Sequence, residues 1–268
     1  DDGTAGVAVV ATQRYLAAID GQTAVTRDVC RELYGYSQNI IAFSGERGQG
    51  KTSTMVSFSK AMSDHDLKDS MFTDCTFQVL PPIDPTVMEE TQSILGVILS
   101  RMYHMAEDRW SENCDVRGFT LGNPTEAQKN KLLEQFQRCL RGINSVKYRK
   151  GAEIKSLIEI HEMGDSSLLK QNLYDLTNML LEFVATKARD HRFLVIQLDD
   201  TDAQIYAGTE VLEDIRKFLS IPNVVILMAT DIDLLRKVVL QDKIKAFEPS
   251  LKNDTIDLQK LQKTYYFL

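Results

Sequence analysis

Apolar positions along the chain recur in two registers, short continuous runs that suit buried strands and i, i+3, i+4 stripes that suit helices. Between residues 5 and 33 the register is helical, with Tyr15, Leu16 and Ile19 in one segment and Val25, Val29 and Leu33 in the next, which predicts an N-terminal helical segment over residues 1–38. A short apolar run at residues 39–43 predicts a strand, and residues 52–62 predict a helix directly after a glycine-rich turn. Residues 76–80 alternate as a second strand, closed by Pro81 and Pro82, which no strand interior tolerates.

The next stripe, Met88, Gln92, Leu95, Leu99 and Met102 with Ile94, Ile98 and Met105, predicts one long helix over residues 86–108. A Gly- and Asn-bearing loop is expected over 110–123. After it, Asn123-Pro124-Thr125-Glu126 opens a helix carrying Leu132, Leu133, Phe136, Cys139 and Leu140 inward. Leu169, Leu173, Leu176, Leu180 and Phe183 predict a helix over 166–188, with Ser166 or Ser167 as its N-cap. Residues 191–200 read as a buried strand ending in two carboxylates. Residues 208–219 read as a helix with Val211, Leu212, Ile215, Phe218 and Leu219 inward, and residues 224–230 as a third central strand.

Strands this uniformly apolar belong in a parallel sheet covered on both faces, so the predicted class is α/β. The expected fold is an additional-strand parallel sheet with helices on both faces and an inserted helical region. The interval between Lys51 and Asp199 is long enough to hold an extra strand between the two strands that end at the site. The expected division is a P-loop half over 39–109, a helical insertion over 110–165 and a second half of the core over 166–268. A start without Met and an apolar end at Tyr265-Tyr266-Phe267-Leu268 predict a piece of a longer protein, with a C-terminal lid or further domains beyond it.

Composition narrows the setting. With 268 residues, 43% hydrophobic and 26% charged, the chain has the make-up of a soluble globular protein. A formal charge of −7 argues against general adhesion to nucleic acid or an anionic membrane. Nucleic acid is left with one basic run, Arg138, Arg141, Lys147, Arg149 and Lys150, for which solvated charge is the competing reading. Cys30, Cys75, Cys114 and Cys139 are widely spaced and the four histidines scattered, which fits a reduced, cytoplasmic compartment and no zinc site. No apolar run approaches the ~20 residues that span a bilayer.

The candidate chemistry begins at Gly45-Glu46-Arg47-Gly48-Gln49-Gly50-Lys51-Thr52-Ser53. This is the P-loop spacing, set between an apolar run and a helical pattern. Its backbone N–H groups would converge on phosphate oxygens at a helix N-terminus, Lys51 would reach the β- and γ-phosphates, and the Thr52 hydroxyl would hold Mg²⁺. Asp199 and Asp200, at the end of the second apolar strand, fit a Walker B element. Asp199 would hold Mg²⁺ and Asp200 polarise the attacking water, with a helix-capping pair as the alternative. At the tip of the third strand, Thr230 and Asp231 stand where a polar group can sense the γ-phosphate or fix the water. Asp231 also opens the next helix, so a cap is its rival role.

Leu198-Asp199-Asp200-Thr201-Asp202, the helix ending Ile215-Arg216-Lys217-Phe218-Leu219, the run from Ile221 to Asp231 and Leu258-Gln259-Lys260-Leu261 resemble the KAP group of P-loop NTPases, relatives of the AAA+ and STAND ATPases. The resemblance covers the P-loop region and most of 193–268. It implies hydrolysis of ATP with Mg²⁺ in a homo-oligomer, with Lys260 standing where relatives present a basic residue to the next protomer's nucleotide. Many members carry D-D-L-D-R, whereas Thr201 and Ala203 stand here for the Leu and Arg, so any role of that arginine is absent. Membrane helices inserted in some members are missing. Bacterial members are frequent in antiphage defence, and similarity to the ATPase of RADAR-type systems implies an effector partner such as a deaminase. A nucleic-acid-stimulated motor, a small-molecule phosphotransferase and a non-hydrolysing nucleotide-binding scaffold remain alternative functions.

Overall fold

The computed structural model describes residues 39–64, 75–89, 92–115, 125–148, 167–185, 191–202 and 205–246. The expected N-terminal helices, the end of the basic run at Arg149 and Lys150, and Lys260 lie outside the described residues.

Four strands, β1 (Ile40–Ser44), β2 (Cys75–Val79), β3 (His191–Leu198) and β4 (Val224–Thr230), form one sheet in the order β1-β4-β3-β2, every pair parallel. The chain is therefore α/β. The strand standing between β1 and β3 is β4, which follows β3 in sequence. Among the described residues the strand that comes from the interval between Lys51 and Asp199 and precedes β3 is β2, and it lies beyond β3.

Strand alternation sorts the apolar residues into two layers. Phe43, Phe77, Phe193, Val195, Val225, Leu227 and Ala229 face one side, where Met55, Phe58 and Met62 of α1 (Lys51–Ser63) cover them. Phe77 and Phe193 stack across the β2–β3 pair with centroids 5.5 Å apart. Leu194, Ile196, Leu198, Val224, Ile226 and Met228 face the other side. They share one core with α2 (Ile94–Asp115), α3 (Glu126–Tyr148), α4 (Leu169–Phe183) and α5 (Ile205–Asp214), in which α4 packs on β3 and α3 packs on α4, with Ile98, Leu132, Leu176 and Val211 among the buried residues. Each such buried side chain contributes about 1.5–3 kcal/mol relative to exposure. Helix α6 (Ile232–Ala246) closes the described chain and packs on α5.

Gln197 is the polar exception on the α1 side of β3, only 3% exposed. Ser59 Oγ donates to its Oε1 at 2.8 Å, and its Nε2 donates to the Leu80 carbonyl at 2.9 Å, so one amide ties α1 to the β2–β3 pair. Gln197→Leu keeps the volume and removes the donor to the buried Leu80 carbonyl, while Ser59 Oγ keeps its 2.9 Å bond to the Val56 carbonyl. The expected loss is about 1–3 kcal/mol in a urea unfolding curve, and an unchanged midpoint would show that the network carries no stability.

Several element boundaries differ from the periodicity. The helix expected over 86–108 is two pieces, because Asp84 Oδ1 accepts the Thr86 N–H (2.8 Å) and hydroxyl (2.6 Å) and folds residues Pro85–Val87 into a 3₁₀ turn. Helix α2 starts only after Ser93, whose Oγ accepts the Gly96 N–H at 3.2 Å as an N-cap does. It then runs through Trp110, expected in a loop, because that ring packs edge-on against Tyr103 and Phe183 at 6.0 and 5.6 Å. Leu140, expected inward on α3, is 49% exposed, since Leu132, Phe136, Cys139 and Ile143 define the buried stripe. The N-cap of α4 is Leu168, without a side-chain bond, in place of a serine. Helix α5 begins at Ile205, ahead of Gly208, and continues as a π-helical turn over Ile215–Leu219, where Ser220 N–H reaches back to the Ile215 carbonyl.

Candidate functional site

The C-terminal ends of β1, β4 and β3 lie side by side, the edge of an open parallel sheet at which ligands bind. Pairing of Ser44 with Thr230 and of Leu198 with Met228 brings the glycine loop, the β4 tip and the two carboxylates together.

The loop after β1 is exposed and held by short-range bonds. Glu46 N–H donates to Gln49 Oε1 (3.0 Å), and Gln49 N–H donates to the Glu46 carbonyl (3.3 Å). Gly48 and Gly50 take φ of 87° and 76°, the left-handed region that a Cβ disfavours, and Gly50 is the N-cap of α1. No side chain caps this helix and its first turn holds no acid, so its leading N–H groups face outward at the positive end of the dipole. Lys51 Nζ bends back over the loop, donating to the Gly45 carbonyl at 2.9 Å and the Glu46 carbonyl at 3.3 Å. The ammonium thus lies across the concavity that the loop encloses. Arg47, Gln49, Thr52 and Ser53 complete the exposed rim.

One contact joins the two halves of the site. Thr52 Oγ1 donates to Asp199 Oδ1 at 2.9 Å, linking residues 147 positions apart, and the Asp200 N–H donates to the same oxygen at 3.0 Å. Asp199 is thereby aimed at the start of α1. Among the described residues no three His, Cys, Asp or Glu side chains gather as a metal cage. Mg²⁺ does not need one, because it takes one or two protein oxygens and completes its shell with phosphate and water. The Thr52 hydroxyl and the Asp199 carboxylate are such a pair of hard donors.

Asp200 sits in the left-handed region with φ of 46°. Burial pushes its carboxyl above the usual carboxylate range, reinforced by the charges of Asp199, Asp202 and Asp84 and only partly offset by Lys51. Asp84 had no sequence signal. It arrives because Ile83 bridges to Leu198 and accepts the Asp199 N–H at 2.9 Å, carrying the residue after the double proline alongside β3.

At the β4 tip Thr230 is fully buried and donates its hydroxyl to Asp202 Oδ1 at 3.2 Å. Asp231 Oδ1 accepts the N–H groups of Asp233 and Leu234, both at 3.0 Å, so its carboxylate caps α6. Of its two candidate roles, the capping one is the role seen in the geometry. The thiol of Cys139 is pushed up to about 12, by burial and then by the charge of Asp175, which leaves it without nucleophilic character. Arg138 and Arg141 are exposed on α3.

Neither a protein-family model nor a curated protein matches the chain. No helix among the described residues is long and apolar enough to cross a membrane.

Proposed function

We propose that the chain is an ATP-binding and ATP-hydrolysing P-loop module of the additional-strand type, whose nucleotide cycle drives oligomer assembly or a conformational switch. The observation that carries this reading is the Thr52–Asp199 hydrogen bond, which unites the Lys-Thr end of the loop with the acidic end of β3. A chance glycine turn has no reason to meet a buried strand's terminal carboxylate. The β1-β4-β3 order supports the additional-strand assignment.

In this reading the N–H groups of residues 48–53 surround the phosphates. Lys51 leaves the loop carbonyls and turns its ammonium onto the phosphoryl oxygens, where its charge gains more than it does on neutral carbonyls. The Thr52 hydroxyl and the Asp199 carboxylate would hold Mg²⁺, which would supply further positive charge to the phosphoryl oxygens. Asp200 accepts a proton from the attacking water, a task suited to its raised proton affinity. The KAP-like resemblance contributes the remaining terms: a cytoplasmic homo-oligomer, a bacterial defence complex, an effector partner such as a deaminase, and Lys260 acting across a subunit boundary.

Phosphate release from Mg·ATP tests the core of the proposal. Turnover is expected to stop with EDTA and, for a shared site, to rise per molecule with protein concentration and fall in Lys260→Ala at unchanged ATP affinity. No release from Mg·ATP at any protein concentration would remove the hydrolase assignment. Turnover independent of concentration would remove the shared site.

A further inference from the structure

Thr230 has no exposed surface, yet its strand tip borders the site. A side chain sealed in this way cannot touch a nucleotide or a water bound in the crevice. The partner it holds can, because Asp202 is half-buried and its charge reaches Asp200. An ionised carboxylate has no proton to give, so the 3.2 Å contact runs from the Thr230 hydroxyl to Asp202 Oδ1. Among the described residues no hydrogen bond to its second carboxylate oxygen is seen.

We infer that Asp202 is a catalytic residue that orients the attacking water, and that Thr230 is the positioning residue that fixes Asp202. The inference rests on the proposed ATPase reading. A water molecule has two protons to place. One goes to Asp200 as the oxygen attacks the γ-phosphorus and the bond to the diphosphate leaving group breaks, giving ADP and inorganic phosphate. The other is held in a hydrogen bond to Asp202, which turns the oxygen lone pair toward phosphorus. Two acceptors on one water fix its orientation where one leaves it free to rotate about the bond. The turn at residues 201–202, directly after Asp200, keeps Asp202 two positions from Asp200.

The rival assignment has Thr230 touching the water itself with Asp202 behind it, and the two predict opposite rankings. Turnover and the affinity for a fluorescent ATP analogue are measured for Asp202→Asn, Thr230→Val, Thr230→Ser and the Asp202→Asn/Thr230→Val double variant. Asp202→Asn is expected to slow turnover about a hundredfold through misorientation. The same change should hold or tighten nucleotide binding, since it removes a negative charge near the phosphates, a combination that a folding defect does not produce. Thr230→Val is expected to cost about tenfold, the weight of one hydrogen bond. It should cost nothing further in the Asp202→Asn background, and Thr230→Ser should turn over like the unmodified chain. A larger loss in Thr230→Val than in Asp202→Asn, or a full additional loss in the double variant, overturns the assignment in favour of a direct role for Thr230. An unmodified chain that binds but never hydrolyses ATP sinks the ATPase reading and this inference together, whereas robust turnover with an inert Asp202→Asn substitution sinks only the inference.

Discussion

Lys51→Ala is expected to abolish measurable ATP binding while leaving the melting temperature almost unchanged. The side chain is half-buried and bonds to the Gly45 and Glu46 carbonyls on an exposed loop, so little of the core depends on it. Facing phosphates, the same ammonium makes charge-assisted bonds worth about 1.5–3 kcal/mol each. Losing two of them weakens binding by about 10²–10⁴-fold, enough to erase the signal in a calorimetric titration with Mg·ATP. The alanine also suits the first position of α1, having the best helix propensity. Unchanged ATP affinity in a folded Lys51→Ala protein would remove the phosphate-binding assignment, and with it the meaning of every glycine in the loop.

What could be read from the sequence was what short-range chemistry dictates. Strands β3 and β4 are uninterrupted apolar runs, and α4 carries a single buried stripe from Leu169 to Phe183, so both registers stood out without tertiary information. The glycine loop and the two carboxylates are local motifs of the same kind. The start of α2 was not legible, because a side chain, Asp84, competes for the backbone and wins over the periodicity that continued through Met88. Its end was not legible either. Trp110 looks like loop punctuation until Phe183, from a separate helix, supplies the surface on which it packs. Leu140 erred in the other direction, as an apolar residue one step off the stripe set by Leu132, Phe136 and Cys139.

Within the site the same division holds. Residues brought in by their own motif were found, while Asp84 and the Asp202–Thr230 pair depend on strand register. The Ile83–Leu198 bridge and the Ser44–Thr230 pairing exist only once the sheet has formed. Asp231 offered two roles to the sequence, and hydrogen bonds to two amides of α6 account for its carboxylate.

Asp200→Asn is expected to stop turnover, keep ATP bound and make the protein more stable at neutral pH, three effects with one electrostatic origin. The amide preserves shape, and Asn is among the few residues that accept the left-handed backbone found here, so no strain is added by the change. What it removes is the acceptor for the water's proton, a loss of about a hundredfold or more in rate. It also removes a charge that the fold disfavours. Burial and the charges of Asp199, Asp202 and Asp84 raise the folded-state pKa of Asp200, so within the window the folded chain holds a proton that the unfolded chain has released. Stability of the unmodified protein therefore falls as pH rises from the ordinary carboxylate value through the raised one, and stays lowered above it. In Asp200→Asn that decrement is absent, and thermal unfolding followed from acid to neutral pH should show the variant gaining on the unmodified protein across that window. A variant that hydrolyses ATP normally would make Asp200 a structural residue of the turn. One that loses both turnover and stability would show that its carboxylate holds the turn together, in place of being kept there for catalysis against the preference of the fold.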